Sequence, residues 1–224
     1  MFQYILFDLD GTLTDPKIGI TSSAQYALRA LGIEEPSLDK LEPFIGPPLA
    51  DSFREFYGLD EEQTAAAVEK YRERFKDQGI YENEIYPGIA EMLAALKAGG
   101  KTLAIASSKP TPFVERILDY FEIRTYFDHI AGSNLDGTHS RKEEVVEEAL
   151  RRMLPATMTP DEKRTAVVMV GDRRFDIEGA KEHGITSVGV SFGYAPDGEL
   201  EQAGADHIVD TVEALEKLLM RTGD

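Results

Sequence analysis

The sequence contains no cysteine and no tryptophan among its 224 residues. The absence of cysteine excludes disulfides, thiol nucleophiles and metal sites built from thiolates. No apolar run is long enough to span a bilayer, and the chain starts inside its first predicted strand without a basic leader. We therefore expect a soluble, cytoplasmic protein with no membrane partner.

Positive charge is scarce, because 24 lysine and arginine residues face 41 aspartate and glutamate residues, for a formal net charge of −17. Such an acidic surface argues against nucleic acid as a partner. An anionic substrate would need a metal ion or a focused cationic group at its binding site. The length suits one large domain, or a core with a smaller insert.

The first motif follows an apolar run from Phe2 to Phe7, which predicts a strand buried on both faces. The run ends in two carboxylates, Asp8 and Asp10, and then in Gly11. In an open parallel sheet, ligands bind where the carboxyl ends of the strands leave the sheet. Gly11 permits a turn that would bring both acids to the same space. The alternative is an ordinary Asp-Gly turn at the end of a strand.

The rest of the chain falls into two kinds of segment. Helices are expected at 18–31, 51–57, 60–75, 89–98, 112–121, 141–153, 176–183 and 212–219. Strands are expected at 2–7, 101–106, 126–131, 165–170, 187–190 and 207–209.

From 15 to 86 the pattern is helical without a convincing strand, and this block is too long to be a simple connection. Elsewhere strands alternate with helices, which predicts a parallel sheet covered on both faces. We expect an α/β fold in which 1–14 and 87–224 form a Rossmann-like three-layer α/β/α core. Residues 15–86 are expected to form an inserted helical domain over the ligand crevice.

A second pair of acids follows the apolar strand at 165–170, where Asp172 ends the strand and Asp176 enters the next helix. Hard oxygen ligands without cysteine or a histidine cluster favour Mg²⁺, which needs only one or two carboxylates and keeps several waters. Asp176 alone could instead be an acid that the helix dipole favours at its N-terminus.

A hydroxyl and an amine are the remaining candidates. Ser107 and the amides after it could donate to a phosphate oxygen, although Ser107 and Ser108 could also cap a helix. Lys142 stands at the start of a helix, where the dipole disfavours a cation. This placement indicates a function, with a solvated lysine beside two glutamates as the alternative. We expect Lys142, rather than Lys109 or Arg141, to be the cation of the site.

Taken in order, these motifs resemble the haloacid dehalogenase superfamily, specifically its phosphoglycolate phosphatase-like branch. The resemblance rests on Asp8-x-Asp10-Gly11-Thr12-Leu13, Ser107, Lys142 and Gly171-Asp172-x-x-x-Asp176. It spans the whole core, and the insert resembles the helical cap of that family.

The resemblance implies a Mg²⁺-dependent phosphomonoesterase that acts on a small phosphorylated metabolite, with phosphoglycolate as the first candidate. Asp8 would be the nucleophile that forms an aspartyl-phosphate. Asp10 would protonate the leaving oxygen and then activate water. Ser107 and Lys142 would hold the phosphoryl oxygens.

The resemblance also implies how the metal and the substrate are held. Mg²⁺ would be bound by Asp8, the backbone carbonyl of Asp10 and Asp172, while Asp176 would support the metal or Lys142. The remaining substrate contacts are assigned to Thr12, Ser108, Gly46 and Pro47. The helical block would close over the site with hinges near 15 and 86–88.

Several alternatives share this scaffold, namely a 5′-nucleotidase, a sugar-phosphate mutase and a protein-tyrosine phosphatase. A mutase would transfer phosphate to a sugar faster than to water. A phospho-switch of the receiver type belongs to a different class, but it lacks the continuation Asp10-Gly11-Thr12 and the large helical insert. Either a monomer or a homodimer is compatible with the sequence.

Overall fold

The structure is a computed structural model that describes residues 1–221. The strands in this range are β1 (Tyr4–Phe7), β2 (Thr14–Asp15), β3 (Glu84–Ile85), β4 (Thr102–Pro110), β5 (His129–Ser133), β6 (Val167–Gly171), β7 (Thr186–Val190) and β8 (His207–Val209). The α-helices are α1 (Lys17–Ala30), α2 (Leu49–Tyr57), α3 (Glu61–Phe75), α4 (Ile89–Ala98), α5 (Thr111–Tyr120), α6 (Lys142–Met153), α7 (Pro160–Ala166), α8 (Arg174–Glu182), α9 (Glu199–Ala203) and α10 (Val212–Leu219). No helix in these residues is long and apolar enough to cross a membrane.

The chain divides into two compact units. The first consists of Met1–Thr14 and the chain from Ile85 onward, and the second is Asp15–Glu84. The boundaries fall inside β2 and β3, which pair as a two-stranded sheet. The sequence predicted boundaries at 14/15 and 86/87, whereas the compact units divide at 14/15 and 84/85.

The first unit is built on a six-stranded sheet with the order β5-β4-β1-β6-β7-β8. Every neighbouring pair is parallel, so the predicted α/β, Rossmann-like fold is confirmed. β1 lies between β4 and β6, and its Ile5, Leu6 and Phe7 are fully buried. Burial on both faces explains why this strand reads as a continuous apolar run.

The register of the sheet brings three strand ends to one edge. Phe7 is paired with Ile105 on one side and with Val170 on the other. The residues that follow these three positions therefore leave the sheet at the same level. Asp8, Ser107 and Asp172 all lie within two residues of this level.

One face of the sheet packs against α6 and α8. Leu6, Ala106 and Met169 from the strands share a buried core with Val146 of α6 and Ala180 of α8. This packing fixes the first turn of α6, where Lys142 stands, beside the edge at which β1 and β6 end.

Several predicted boundaries need correction. The strand predicted at 165–170 begins only at Val167, because Pro160–Ala166 form α7, whose N-terminus is capped by the Thr159 side chain. A threonine followed by proline is a helix-start signal. The strand predicted at 126–131 lies at His129–Ser133 and is preceded by a 3₁₀-helix at Arg124–Tyr126. The predicted strand 101–106 extends to Pro110.

The second unit is mainly helical. α1, α2 and α3 are accompanied by 3₁₀-helices at Asp39–Phe44 and Gly79–Tyr81. The side chain of Asp60 caps α3, since it accepts a hydrogen bond from the Gln63 amide at 2.9 Å.

Candidate active site

Three carboxylates converge at the edge where β1 and β6 end. Asp8 follows β1, Asp172 follows β6, and Asp176 stands in the first turn of α8. All three side chains are buried, and each offers an oxygen that lies within 4.8 Å of the other two. The structure therefore brings together Asp8, from the first pair of acids in the sequence, and both acids of the second pair.

Lys142 pairs with two of these acids. Its Nζ lies 3.0 Å from Asp8 Oδ1 and 2.8 Å from Asp176 Oδ1, and it donates to the Ala106 carbonyl at 3.1 Å. Burial alone would lower the pKa of Lys142, but the charges of Asp176 and Asp8 outweigh this effect and hold the pKa above its usual value. A solvated lysine is therefore excluded, and the cation at the start of α6 is explained by the carboxylates that face it.

The two carboxylate oxygens of Asp176 make different contacts. Oδ2 accepts a hydrogen bond from the Arg173 amide at 3.0 Å at the start of α8, while Oδ1 pairs with Lys142. Burial raises the pKa of Asp176 to about 6, although Lys142 opposes the shift. Asp176 is therefore the helix-end acid that the sequence offered as one interpretation, and it also contacts Lys142, the cation predicted for the site.

Asp10 is paired with a lysine of its own. Lys109 Nζ lies 2.8 Å from Asp10 Oδ2, and both side chains are buried. Burial raises the pKa of Asp10, and the charge of Lys109 opposes the shift. Lys109, which was not expected to be the cation of the site, therefore contacts one of the predicted site acids. Arg141, in contrast, is exposed and pairs with Glu143.

An irregularity in the pairing of β4 with β5 determines where Lys109 lies. Ser107 is paired with Gly132 of β5, but the next pair is Pro110 with Ser133, so Ser108 and Lys109 are extra residues in the ladder. Bulges of this kind re-aim side chains and are frequent next to active sites.

Ser107 is buried within β4, and its Oγ accepts a hydrogen bond from the Lys109 amide at 3.4 Å. Helix α5 starts only at Thr111, and no side chain caps it. The helix-cap alternative for Ser107 and Ser108 is therefore wrong.

Asp172 is enclosed by backbone and small side chains. The Tyr194 amide donates to Asp172 Oδ2 at 2.8 Å, and Thr12 Oγ1 donates to Oδ1 at 3.4 Å. A Cβ added to Gly11 would lie 2.1 Å from Asp172 Oδ2, and one added to Gly193 would lie 2.3 Å from Asp172 Cβ. Burial, followed by the charges of Asp176 and Asp8, raises the pKa of Asp172 well above its usual value.

The sequence did not identify Gly193 and Tyr194 as site residues. The available signal was their position, because both follow β7, which ends at the same edge of the sheet as β6.

The residues predicted to contact substrate lie in different places. Thr12 is buried beside Asp172, and Ser108 is half-buried in the irregular part of β4. Gly46 and Pro47 belong to the second unit, where they connect the 3₁₀-helix Asp39–Phe44 to α2.

Residues 5–190 match the family model described as haloacid dehalogenase-like hydrolase. The chain belongs to this family. The predicted resemblance is confirmed, as is the prediction of an enzyme of the phosphatase type within it.

Curated relatives of this hydrolase carry different names. A 5′-nucleotidase of Pseudomonas aeruginosa is 45% identical over 97% of the chain and 96% of its own length. The tyrosine-protein kinase PtkA of Mycobacterium tuberculosis is 40% identical over 86% of the chain, which spans only 63% of that protein. A phosphoglycolate phosphatase of Vibrio parahaemolyticus is 29% identical over 95% of the chain and 94% of its own length.

Solved structures of the same family have the same fold. A predicted phosphatase from Clostridium acetobutylicum superimposes with a TM-score of 0.92, at 42% identity, over 98% of this hydrolase and 99% of that chain. A putative phosphatase from Clostridium difficile gives a TM-score of 0.84 at 49% identity, over 98% and 99% of the two chains.

The acids of this hydrolase fit a divalent cation. Oxygen ligands of Mg²⁺ lie about 2.1 Å from the ion and hence about 3 to 4 Å from one another. The oxygens of Asp8, Asp172 and Asp176 are already within 4.8 Å of each other, so a small adjustment would suffice. Three buried carboxylates also exceed the single charge of Lys142, and a divalent cation would offset the remainder.

Proposed function

We propose that this hydrolase is a Mg²⁺-dependent phosphomonoesterase that forms an aspartyl-phosphate on Asp8 and acts on a small phosphorylated metabolite. The observation that carries the proposal is the meeting of Asp8, Asp172 and Asp176 with Lys142 at one edge of the sheet. A phosphate approaching these acids would be repelled unless cations offset their charge. Lys142 is one such cation, and a bound metal would be the other.

In the first half-reaction, an oxygen of Asp8 forms a bond to phosphorus while the bond to the leaving oxygen breaks. Lys142 contacts Asp8 Oδ1 and therefore holds the carboxylate in one orientation for attack. The Ser107 hydroxyl and the amides after it donate to phosphoryl oxygens as charge moves in the transition state. When bound by Asp8, Asp172 and Asp176, Mg²⁺ would neutralise phosphoryl charge and orient the phosphate.

Asp10 is assigned the proton transfers. It gives a proton to the leaving oxygen in the first step, and it takes one from the water that hydrolyses the aspartyl-phosphate in the second. Its Oδ1 is buried and has no hydrogen-bond partner among residues 1–221. This oxygen is thus available to a reacting group.

For the substrate, a nucleoside 5′-monophosphate is the first candidate and phosphoglycolate the second. The ranking is supported by the relative named 5′-nucleotidase, which is 45% identical, whereas the one named phosphoglycolate phosphatase is 29% identical. The proposal also assigns Thr12, Ser108, Gly46 and Pro47 to substrate contacts, and the second unit to the cap that selects the leaving group.

Phosphate release by wild-type protein and by Asp8→Asn tests the chemistry. Asp8→Asn should lose at least about 10³-fold in kcat, because the amide cannot attack phosphorus. Asp119→Asn, which changes an exposed acid of α5, should retain wild-type activity. Rapid quenching of the wild-type enzyme should trap phosphate on Asp8. Undiminished phosphate release by Asp8→Asn would contradict the proposal.

A panel of nucleoside monophosphates, phosphoglycolate and sugar phosphates tests the substrate. We expect kcat/KM for a 5′-nucleotide to exceed that for phosphoglycolate by about tenfold or more. The reverse order would assign the enzyme to phosphoglycolate.

A second candidate function is removal of phosphate from phosphotyrosine or transfer of phosphate to tyrosine. The 40% identity to a protein named tyrosine-protein kinase favours this candidate. A phosphotyrosine peptide in the same panel tests dephosphorylation. A labelled nucleotide with a tyrosine peptide as acceptor tests phosphoryl transfer. Preference for either peptide over all small phosphates would favour this candidate.

A further inference from the structure

Lys109 and Asp10 form a buried ion pair in which the proposed chemistry assigns a role to Asp10 alone. Lys109 Nζ lies 2.8 Å from Asp10 Oδ2, and the lysine is only 9% exposed. Lys142, a second buried lysine at this edge of the sheet, pairs with Asp8 and Asp176. The two lysines therefore hold different acids.

The contact distinguishes the two oxygens of Asp10. Oδ2 is held by Lys109, whereas Oδ1 is buried without a hydrogen-bond partner in the described residues. Rotation of the carboxylate would break a charge-assisted contact in a buried setting, which is strongly unfavourable. One oxygen is thus fixed, and the other is left for exchange of a proton.

The backbone that carries Lys109 is itself tightly defined. Lys109 lies in the irregular part of β4, and its amide donates to Ser107 Oγ. A Cβ added to Gly132 of β5 would lie 2.7 Å from the Lys109 carbonyl oxygen. The bulge therefore requires glycine on the neighbouring strand.

We propose that Lys109 is a positioning residue for Asp10, which holds Oδ2 so that Oδ1 meets the leaving oxygen and then the attacking water. The inference rests on the proposed function, because it assumes that Asp10 transfers protons to and from substrate. It predicts that loss of Lys109 impairs proton transfer more than attack on phosphorus.

Two substrates with different leaving groups separate these effects. An alkyl phosphate needs its leaving oxygen protonated, whereas p-nitrophenyl phosphate releases a stable anion and needs little help. For Lys109→Met, we expect phosphorylation of Asp8 in single-turnover experiments to slow by about 10²-fold or more with the alkyl phosphate. With p-nitrophenyl phosphate the loss should stay below about tenfold. Breakdown of the aspartyl-phosphate should slow as well, because it also requires Asp10.

A matched control is available on the same strand. Lys101 immediately precedes β4, is 6% exposed, and donates to the Phe2 carbonyl at 2.7 Å. Lys101→Met also removes a buried ammonium, but it should leave the ratio of the two rates unchanged. Lys109→Arg should restore at least part of the alkyl phosphate rate, because it keeps a cation beside Asp10.

Two results would overturn the inference: equal slowing with both substrates, or a higher KM with unchanged kcat. The latter would mean that Lys109 binds substrate directly. Lys109→Gln gives the same comparison where Lys109→Met does not fold. Failure of the proposed function would be recognised by a different measurement, because wild-type protein would then form no phosphate adduct at Asp8.

Discussion

Gly193 is packed so closely against Asp172 that a Cβ on the glycine would lie 2.3 Å from Asp172 Cβ. Gly11 approaches the same carboxylate, with 2.1 Å between its added Cβ and Asp172 Oδ2. Asp172 is therefore enclosed by two backbone segments at positions where only glycine leaves enough room. Such packing fixes Asp172, a metal ligand in the proposed function, before an ion binds, so binding has less ordering to impose.

Replacing Gly193 by alanine should displace Asp172 and weaken metal binding. Its φ lies outside the left-handed region, so the cost is steric and arises at the carboxylate. We expect Gly193→Ala to raise the Kd for Mg²⁺ about tenfold or more, a typical effect of disturbing the support of a ligand. Titration calorimetry measures it. Gly99→Ala is the control, because an added Cβ there makes only 3.4 Å contacts. An unchanged Kd would mean that Asp172 does not bind the ion.

Asp176→Asn should impair catalysis while leaving the start of α8 capped. The asparagine can still accept from the Arg173 amide, but Lys142 loses one of its two carboxylates. We expect kcat to fall by about tenfold to 10²-fold, since a misplaced lysine no longer orients Asp8. Steady-state kinetics at saturating Mg²⁺ would show the change.

The control for Asp176→Asn is Glu162→Gln, the acid at the same position of α7. Its carboxylate accepts from the Thr159 amide at 2.8 Å and is exposed. If both variants lose activity equally, helix capping rather than the contact with Lys142 explains the effect.

Glu199→Gln should lower the free energy of unfolding by about 1.5 to 3 kcal/mol, the usual range for hydrogen bonds to charged groups. Glu199 accepts from Arg173 Nε and from the Arg174 amide, both at 2.9 Å. Denaturant unfolding at pH 7 measures the loss. Glu213→Gln, in the exposed pair with Lys217, should change nothing measurable.

The contacts of Glu199 with Arg173 and Arg174 also predict how the stability of the protein depends on pH. Burial alone would raise the pKa of Glu199, but hydrogen bonds from Arg173 and Arg174 lower it below its usual value. A lowered pKa in the folded state adds stability above the ordinary value of about 4.3, and this stability is lost as the pH falls. The advantage of wild-type protein over Glu199→Gln should therefore shrink below about pH 4. A constant difference down to pH 3 would contradict this assignment.

Mg²⁺ should stabilise the folded protein through the three acids. At about ten times its Kd, a ligand that binds only the folded state adds about 1.4 kcal/mol, or about 3 to 6 °C in Tm for a chain of this size. Asp172→Asn should abolish the shift and Asp119→Asn should keep it, and EDTA should reverse it in wild-type protein. An equal shift in both variants would indicate nonspecific screening of the acidic surface.

The site residues that can be predicted from the sequence are those whose positions follow from local sequence patterns. Asp8 and Asp172 were found because apolar strands end in acids, and parallel strands bring such ends to one edge. Lys142 was found because a cation at the start of a helix contradicts the local preference. Deviations of this kind are expected at functional sites.

The residues that the sequence missed depend on distant partners. Lys109 reaches Asp10 because β4 gains two residues relative to β5, and nothing within the segment Ser107-Ser108-Lys109 signals that shift. Gly193 meets Asp172 across 21 positions of sequence, through the pairing of β6 with β7. Pairing register is a tertiary property that one strand does not encode.

The two short strands at the unit boundary have an evolutionary consequence. Because Thr14–Asp15 and Glu84–Ile85 are neighbours in one ladder, the inserted unit starts and finishes about one strand spacing apart, roughly 4.8 Å. Any domain whose two ends lie that close together could be inserted at this point without changing the strand pairing of the six-stranded sheet. Under the proposed function, in which the second unit selects the leaving group, recombination at this junction would change selectivity and leave the catalytic residues of the first unit unchanged.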